Sequence, residues 1–275
     1  MIDVPQQTLG PHPEDQALRE EIARLRASLT AVLLQKDDLL LIQCKRIEAA
    51  YLRRFGALEL KVYESWCECL RAKRRAKLIR AARNRREQAD PVRIEAALDE
   101  ELSVYRQELE DRFRRVAGVM EPKEGPGLSQ RGAKELKELY RQAVKSLHPD
   151  LHPQADEEQS RQLQQAMRAY RSGDLETLRA LCDCMPAAER EGESSLDQLR
   201  AEARRLRSSL RELNRQLEAI KAEYPFNARV YLEDDAKGRE KEAQLQAQLQ
   251  DLRARTARYG AEAERMLTPE EEEEG

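Results

Sequence analysis

Aromatic residues are scarce in this 275-residue chain, at 4% of the total. Large rings carry the biggest buried areas, so their scarcity argues against a thick globular core. Long apolar runs are missing as well. The stretches "AVLL" and "DDLLLIQC" fall far short of the ~20 residues a membrane-spanning helix needs. No basic segment followed by an apolar core stands in "MIDVPQQTLGPHPEDQ", so no secretory signal is expected and the location is expected to be cytoplasmic. Cysteines number five, which suits no disulfide framework. Cys67 and Cys69, like Cys182 and Cys184, lie two apart. On a helix such residues point nearly opposite ways, so reduced structural thiols are expected rather than a metal site. His148 and His152 are four apart, but Pro149 and Pro153 interrupt the helical spacing a metal pair would use. There is no phosphate-binding glycine loop, nucleophile elbow or carboxylate–histidine cluster. The chain is therefore expected not to be an enzyme and to take no metal or cofactor. A net charge of −3 makes the whole protein no obvious polyanion binder.

What the chain does have is charge, at 37%, and a 40% apolar fraction made mostly of Ala and Leu. That profile belongs to long helices and coiled coil. The expected fold is all-α, with long helical or coiled-coil hairpins flanking a small helical hairpin. Residues 1–13 read as a disordered lead and 14–118 as a long helical bundle or hairpin. Its first helix is expected from about Glu14 to Arg54, with a seam of Leu18, Ile22, Leu25, Leu29 and Val32. A second helix is expected from Phe55-Gly56 to about Arg86. Asp90-Pro91 has the form of an N-cap followed by proline at the first helical position, and starts a third. Gly118 and the Pro/Gly-rich stretch 122–127 close it.

Further on, Gly173 can cap a helix and Asp174 can start a short one. Residues 187–195 read as a linker, and Ser195 with Gln198 forms a capping box. From Leu196 through Leu199, Leu206, Leu213 and Leu217 the heptad spacing is unbroken, and it resumes at Leu245, Leu249 and Leu252. Two such arms joined by a short turn predict an antiparallel coiled-coil hairpin over 195–267, each arm about 40 Å long. Residues 268–275 read as an acidic tail. A homo-oligomer through the coiled coil is one partner this pattern allows.

The stretch "RAKRRAKLIRAARNRR", residues 71–86, holds nine basic residues and no acid. One reading is a nucleic-acid or anionic-surface patch. The favoured reading is pairing with the acidic third helix, which offers Glu95, Asp99, Glu100, Glu101, Glu108 and Asp111. Nucleic acid and membrane are not expected as partners.

Residues 130–185 hold the most informative motif. The helix "AKELKELYRQAVKSL" ends at His148-Pro149-Asp150, and "EEQSRQLQQAMRAYRSGD" follows a polar loop. Leu136, Tyr140, Ala143 and Leu147 make one apolar stripe, while Lys134, Lys137, Arg141 and Lys145 recur on another face. Two facing stripes predict an antiparallel hairpin with the tripeptide at its tip. Over roughly 130–171 this resembles the J-domain of DnaJ-like co-chaperones. Leu163, Ala166, Ala169 and Tyr170 fall where that family has a phenylalanine, an aliphatic, an alanine and a tyrosine. The family's aromatic-rich first helix has no counterpart upstream, and the end of the preceding long helix is expected to take its place. The resemblance implies a protein that stimulates a seventy-kilodalton, DnaK-like heat-shock chaperone ATPase. The chaperone-binding residues it implies are His148, Pro149 and Asp150, with Lys137, Arg141 and Lys145 as steering charges. The coiled-coil arms would serve a client or partner. The alternative is a non-catalytic coiled-coil scaffold with a degenerate J-like segment.

Overall fold

The computed structural model describes residues 13–120, 128–185 and 195–268. The expectations for the lead 1–13, the stretch 122–127, most of the linker 187–195 and most of the acidic tail 268–275 lie outside the described residues. Among the described residues every regular element is helical and there is no strand, so the fold is all-α. No helix among them is long and apolar enough to cross a membrane. The chain forms two compact units, each built from an early and a late segment: Met1–Lys45 with Gly125–Asn227, and Arg46–Glu124 with Ala228–Gly275.

The first unit holds α1 (Pro13–Asp38), α6 (Gln130–Leu147), α7 (Glu157–Ser172), α8 (Leu175–Asp183) and α9 (Leu196–Ala222). The seam of α1 buries Ile22, Leu29 and Leu33, and that of α9 buries Leu199, Leu206 and Leu213. All six join one core with the hairpin. Glu14 pairs with Arg200 and Glu21 with Arg207, while Lys36 Nζ donates to Gln216 at 2.7 Å. Both residue numbers climb together, so α1 and α9 run parallel. Immediately after α1 the helix widens into a π turn, Leu39–Gln43.

The second unit holds a further π turn at Leu52–Gly56, which ends α2 (Cys44–Tyr51), then α3 (Ala57–Asn84). It also holds α4 (Pro91–Glu101), α5 (Ser103–Met120), α10 (Val230–Glu233) and α11 (Asp235–Leu267). Here α11 lies along α3, again in parallel. Arg54 bonds Glu242 at 2.9 Å, and far along both helices Arg80 pairs with Glu262. The chain reverses after α3, where Arg86 adopts φ 57°. Asp90 then caps α4, accepting from the N–H groups of Val92 and Arg93. Tyr105 meets Trp66 edge-on at 5.2 Å, and Arg112 lies over the Tyr63 ring at 4.2 Å. This α4–α5 arm thus runs back along α3.

Several expectations need correction. The antiparallel hairpin over 195–267 is replaced by two parallel pairings: α9 takes α1, and α11 takes α3. A heptad seam records that a helix needs a partner but not which one, and the flanking charges decide. Glu14 and Glu21 are one heptad apart, as are Arg200 and Arg207. The bundle drawn over 14–118 is likewise divided, with α1 in one unit and α3 to α5 in the other. Gly56 does not separate two helices, because it keeps right-handed helical angles. The third helix does break, but at Leu102, whose φ and ψ of −101° and 9° leave the helical range. Gly118 lies inside α5.

Candidate functional site

The hairpin is built from strong local signals. Ser129 caps α6 by accepting from Gly132 N–H. At the far end His148 leaves helical geometry, with ψ at 128°, because the following proline disfavours the α region. Asp156 and Gln159 form a capping box that starts α7, and Gly173 closes it at φ 75° in the left-handed region. Tyr140 stacks on Tyr170 with centroids 4.3 Å apart and planes 11° from parallel. The stack lies well back from the connecting loop on both helices, so α6 and α7 are antiparallel and the tripeptide occupies the tip.

The two phenols explain what holds the hairpin to the long helix. A buried tyrosine hydroxyl needs an acceptor. Tyr140 OH donates to Asp37 Oδ2 at 2.6 Å, and Tyr170 OH donates to Asp38 Oδ1 at 3.1 Å. Both acids close α1. Burial raises Asp37 above the usual carboxylate range, partly offset by the bond from Tyr140. Burial also raises both phenols, with Asp37 and Asp38 adding to the shift, so neither ionises near neutrality. From the other side α8 packs on the hairpin, with Leu178 fully buried and Arg179 bonded to Glu135 at 2.7 Å. The helix that packs on α6 from upstream is therefore α1, more than ninety residues earlier, not the end of the preceding long helix, because α5 belongs to the second unit.

At the tip, the Asp150 N–H donates to His148 Nδ1 at 3.1 Å. That leaves Nε2 as the protonated nitrogen of the neutral ring. Burial lowers the His148 pKa, opposed by the nearby Asp150 and Asp37 carboxylates, so the ring is neutral at pH 7. Leu151 turns inward and is buried. His152 Nε2 lies 2.8 Å from the Lys145 carbonyl, to which it can only donate. Arg205 of α9 then crosses to the loop, and its Nη1 donates to the Asp150 carbonyl at 2.8 Å. An open cleft of about 370 Å³ results, lined by Lys36, His148, Asp150, Ser208, Glu212 and Gln216 among others.

The structure thus brings His148 and Asp150 together, half-buried, with Pro149 exposed between them. Lys137, Arg141 and Lys145 are exposed along α6 and do not enter the cleft. Sequence reasoning missed Arg205, Lys36 and the Asp37–Asp38 pair. The acids left a signal: two adjacent carboxylates on a leucine-rich helix, and two tyrosines on apolar stripes needing acceptors. Arg205 left none, being one arginine among many on α9.

The basic stretch 71–86 meets the acidic helix it was expected to meet. Arg71 pairs with Asp99 at 2.8 Å and with Glu95, while Arg74 pairs with Glu101 at 2.9 Å and Arg75 with Glu95 at 3.3 Å. Glu108 and Asp111 turn instead to Arg112 and Arg114 of their own helix. Among the described residues no group of three or more His, Cys, Asp or Glu side chains could hold a metal ion. Compared with known proteins, the chain matches no protein-family model, no curated protein and no solved structure.

Proposed function

We propose that the protein is a J-domain-like co-chaperone whose His148-Pro149-Asp150 tip recruits and stimulates a seventy-kilodalton, DnaK-like heat-shock ATPase. One observation carries this reading: the tripeptide stands at the turn of an antiparallel hairpin, next to a row of exposed cations on α6. Pro149 is exposed, and the Asp150 backbone is fixed from two sides, by His148 Nδ1 and by Arg205. With the backbone held this way, only the side-chain rotamers of Asp150 remain to be ordered when its carboxylate meets a cationic donor. Lys137, Arg141 and Lys145 would steer an acidic surface toward the tip, faster at low salt than at high. The protein performs no chemistry in this reading; the bond cleaved is the partner's ATP. The long parallel pairs would carry a client or a second partner, in a cytoplasmic setting.

The experiment is steady-state ATP turnover by the purified DnaK-like chaperone with and without this protein. Stimulation is expected, and it should be lost in Asp150→Asn while the thermal melt stays within about 0.5 kcal/mol, as befits a surface change. The scaffold reading is favoured by the packing of the tip against α9. It takes over if the wild type leaves turnover unchanged.

A further inference from the structure

The Asp150 N–H donates to His148 Nδ1 at 3.1 Å. A ring nitrogen accepts only while it carries no proton. This tip conformation therefore requires one protonation state of one side chain, the neutral ring with its proton on Nε2. When Nδ1 takes up a proton, both ring nitrogens are donors, and an N–H faces an N–H where the bond was. The Asp150 carboxylate belongs to the residue whose N–H is displaced. It can swing to accept from the new Nδ1–H, in a charge-assisted bond stronger than the one lost. Arg205 keeps its hold on the Asp150 carbonyl, and the N–H groups of Leu151 and His152 keep theirs on the His148 carbonyl. The loop thus stays tethered while the Asp150 N–H is released and the carboxylate turns toward the ring.

Water reaches the ring, because His148 lines the open cleft. The charges around it come from three elements. Lys36 and Asp37 stand on α1, and Asp150 and His152 on the loop. From α9, Glu212 lines the cleft and Arg205 holds the loop. Burial opposes a proton on the ring, as do Lys36 and His152, while Asp150 and Asp37 favour one. Burial prevails, so protonation waits until the pH falls below the ordinary 6.5.

We infer that His148 is a proton-operated latch on the tip: neutral, it holds the Asp150 backbone and leaves the carboxylate to a partner's cation; protonated, it captures the carboxylate and closes the tip to the partner. The consequence for the partner rests on the co-chaperone reading of His148-Pro149-Asp150, whereas the latch itself rests on the geometry of the loop. Acid is then an off switch for docking, read by the imidazole.

The test has two arms, both on the full chain. The first is NMR between pH 5 and pH 8 and needs no partner. The ring nitrogens should show Nε2 protonated and Nδ1 bare at pH 8. The ring should titrate below 6.5, and the Asp150 amide shift should follow it with the same midpoint. Asp37→Asn, whose amide oxygen can still accept from Tyr140, should lower that midpoint, and Lys36→Met should raise it, each by about half a pH unit. A proton on Nδ1 at pH 8, an Asp150 amide that ignores the ring, or a midpoint unmoved by both variants overturns the latch. If one variant fails to fold, the other decides. The second arm is turnover by the purified seventy-kilodalton DnaK-like ATPase, with its basal rate subtracted at each pH and each form referred to its own value at pH 8. At subsaturating protein the added turnover should fall about tenfold one pH unit below the midpoint, where only about a tenth of the rings remain neutral. The fall should come at higher pH in Lys36→Met and at lower pH in Asp37→Asn. If the ring titrates as expected but all three forms lose stimulation at the same pH, the latch does not govern docking and the inference is overturned, while the reading of the tip stands. If the wild type stimulates at no pH, the co-chaperone reading falls, and the first arm alone decides the latch.

Discussion

The second unit carries the denser cationic stretch, residues 71–86, yet the first unit carries the stronger candidate for a docking surface. In α3 the guanidinium groups of Arg71, Arg74 and Arg75 face Glu95, Asp99 and Glu101 on the returning helix. They are spent inside the fold. In α6 a smaller number of cations, Lys137, Arg141 and Lys145, stand exposed on the helix that ends at a built loop. A run of positive charge in a helical protein thus says little until its partners are known. The sequence shows how many charges there are, and packing shows which remain available to another molecule.

The largest expected effects come from the side chains that pin each unit. Tyr140 is among the most deeply buried residues and joins the hairpin to α1 through Asp37. Phe55 plays the matching part in the second unit, fully buried between Tyr51 and Tyr231. Tyr140→Ala and Phe55→Ala should each cost about 3–5 kcal/mol. Circular dichroism melts read the first. For the second, fluorescence of the single tryptophan, Trp66, also reports, since Trp66 belongs to the same unit. A loss under about 1 kcal/mol for Tyr140→Ala would mean that the stacked tyrosines do not hold the hairpin in place.

Reversing one charge in each region sharpens the comparison directly. Arg71→Glu sets a third acid against Glu95 and Asp99, and should cost about 1–2 kcal/mol, a loss that shrinks as salt is added. Lys137→Glu should leave the melt within about 0.5 kcal/mol. Its effect should appear only in partner turnover. Equal losses of stability from both changes would erase the distinction between spent and available cations.

Much of the first unit is legible in the residues themselves. The stripe Leu136, Tyr140, Ala143, Leu147 is the buried face of α6, and Leu163, Ala166, Ala169, Tyr170 is that of α7. The caps at Asp90, Ser195 and Gly173 stand where local chemistry puts them. These are short-range features, fixed within one turn of helix. Pairing at a distance is not legible in the same way. Leu199, Leu206 and Leu213 announce a seam equally well for any apolar partner, parallel or antiparallel, so nothing within that run identifies α1. The bond from Arg205 to the Asp150 carbonyl spans 55 residues and uses a backbone oxygen that every residue possesses. No residue pattern marks such an acceptor.

A smaller effect concerns acid. Burial holds His148 below its ordinary pKa of 6.5. Above pH 6.5 the ring is neutral in both folded and unfolded chains, and the associated stability is fully present. As the pH falls, the unfolded chain takes up its proton first, so stability is lost downward from 6.5. Asp37, raised by burial from 3.8, works with the opposite sign: its folded form keeps a proton to higher pH than the unfolded chain, so acid favours folding. His148→Gln should therefore flatten the loss of stability below pH 6.5 in melts taken across pH 5–8. Glutamine's side-chain oxygen can still accept from Asp150 N–H. An unaltered pH profile would place the imidazole in water rather than in the tip.

A change with a small expected effect on stability is the most informative about the tip. Arg205→Ala removes the side-chain donor that α9 sends to the Asp150 carbonyl, and the freed carbonyl can turn to water. The cost to the global melt should stay near about 1.5 kcal/mol, the low end for a bond from a charged donor, because water can replace the donor at this half-buried site. Locally the consequence should be larger. The loop keeps its N–H bonds from Leu151 and His152 to the His148 carbonyl, both at 2.9 Å. It loses the anchor that sets its distance from α9, so amide exchange at Asp150, Leu151 and His152 should quicken while that of Tyr140 and Ala143 stays slow. Arg205→Lys retains the charge but not the fork of donors, and should recover only part of the protection. If exchange at Asp150 is as slow in Arg205→Ala as in wild type, the loop holds itself. The tip then owes its position to α6 and α7 alone, and the difference between the two cationic regions would rest on charge pairing without any contribution from the α9 anchor.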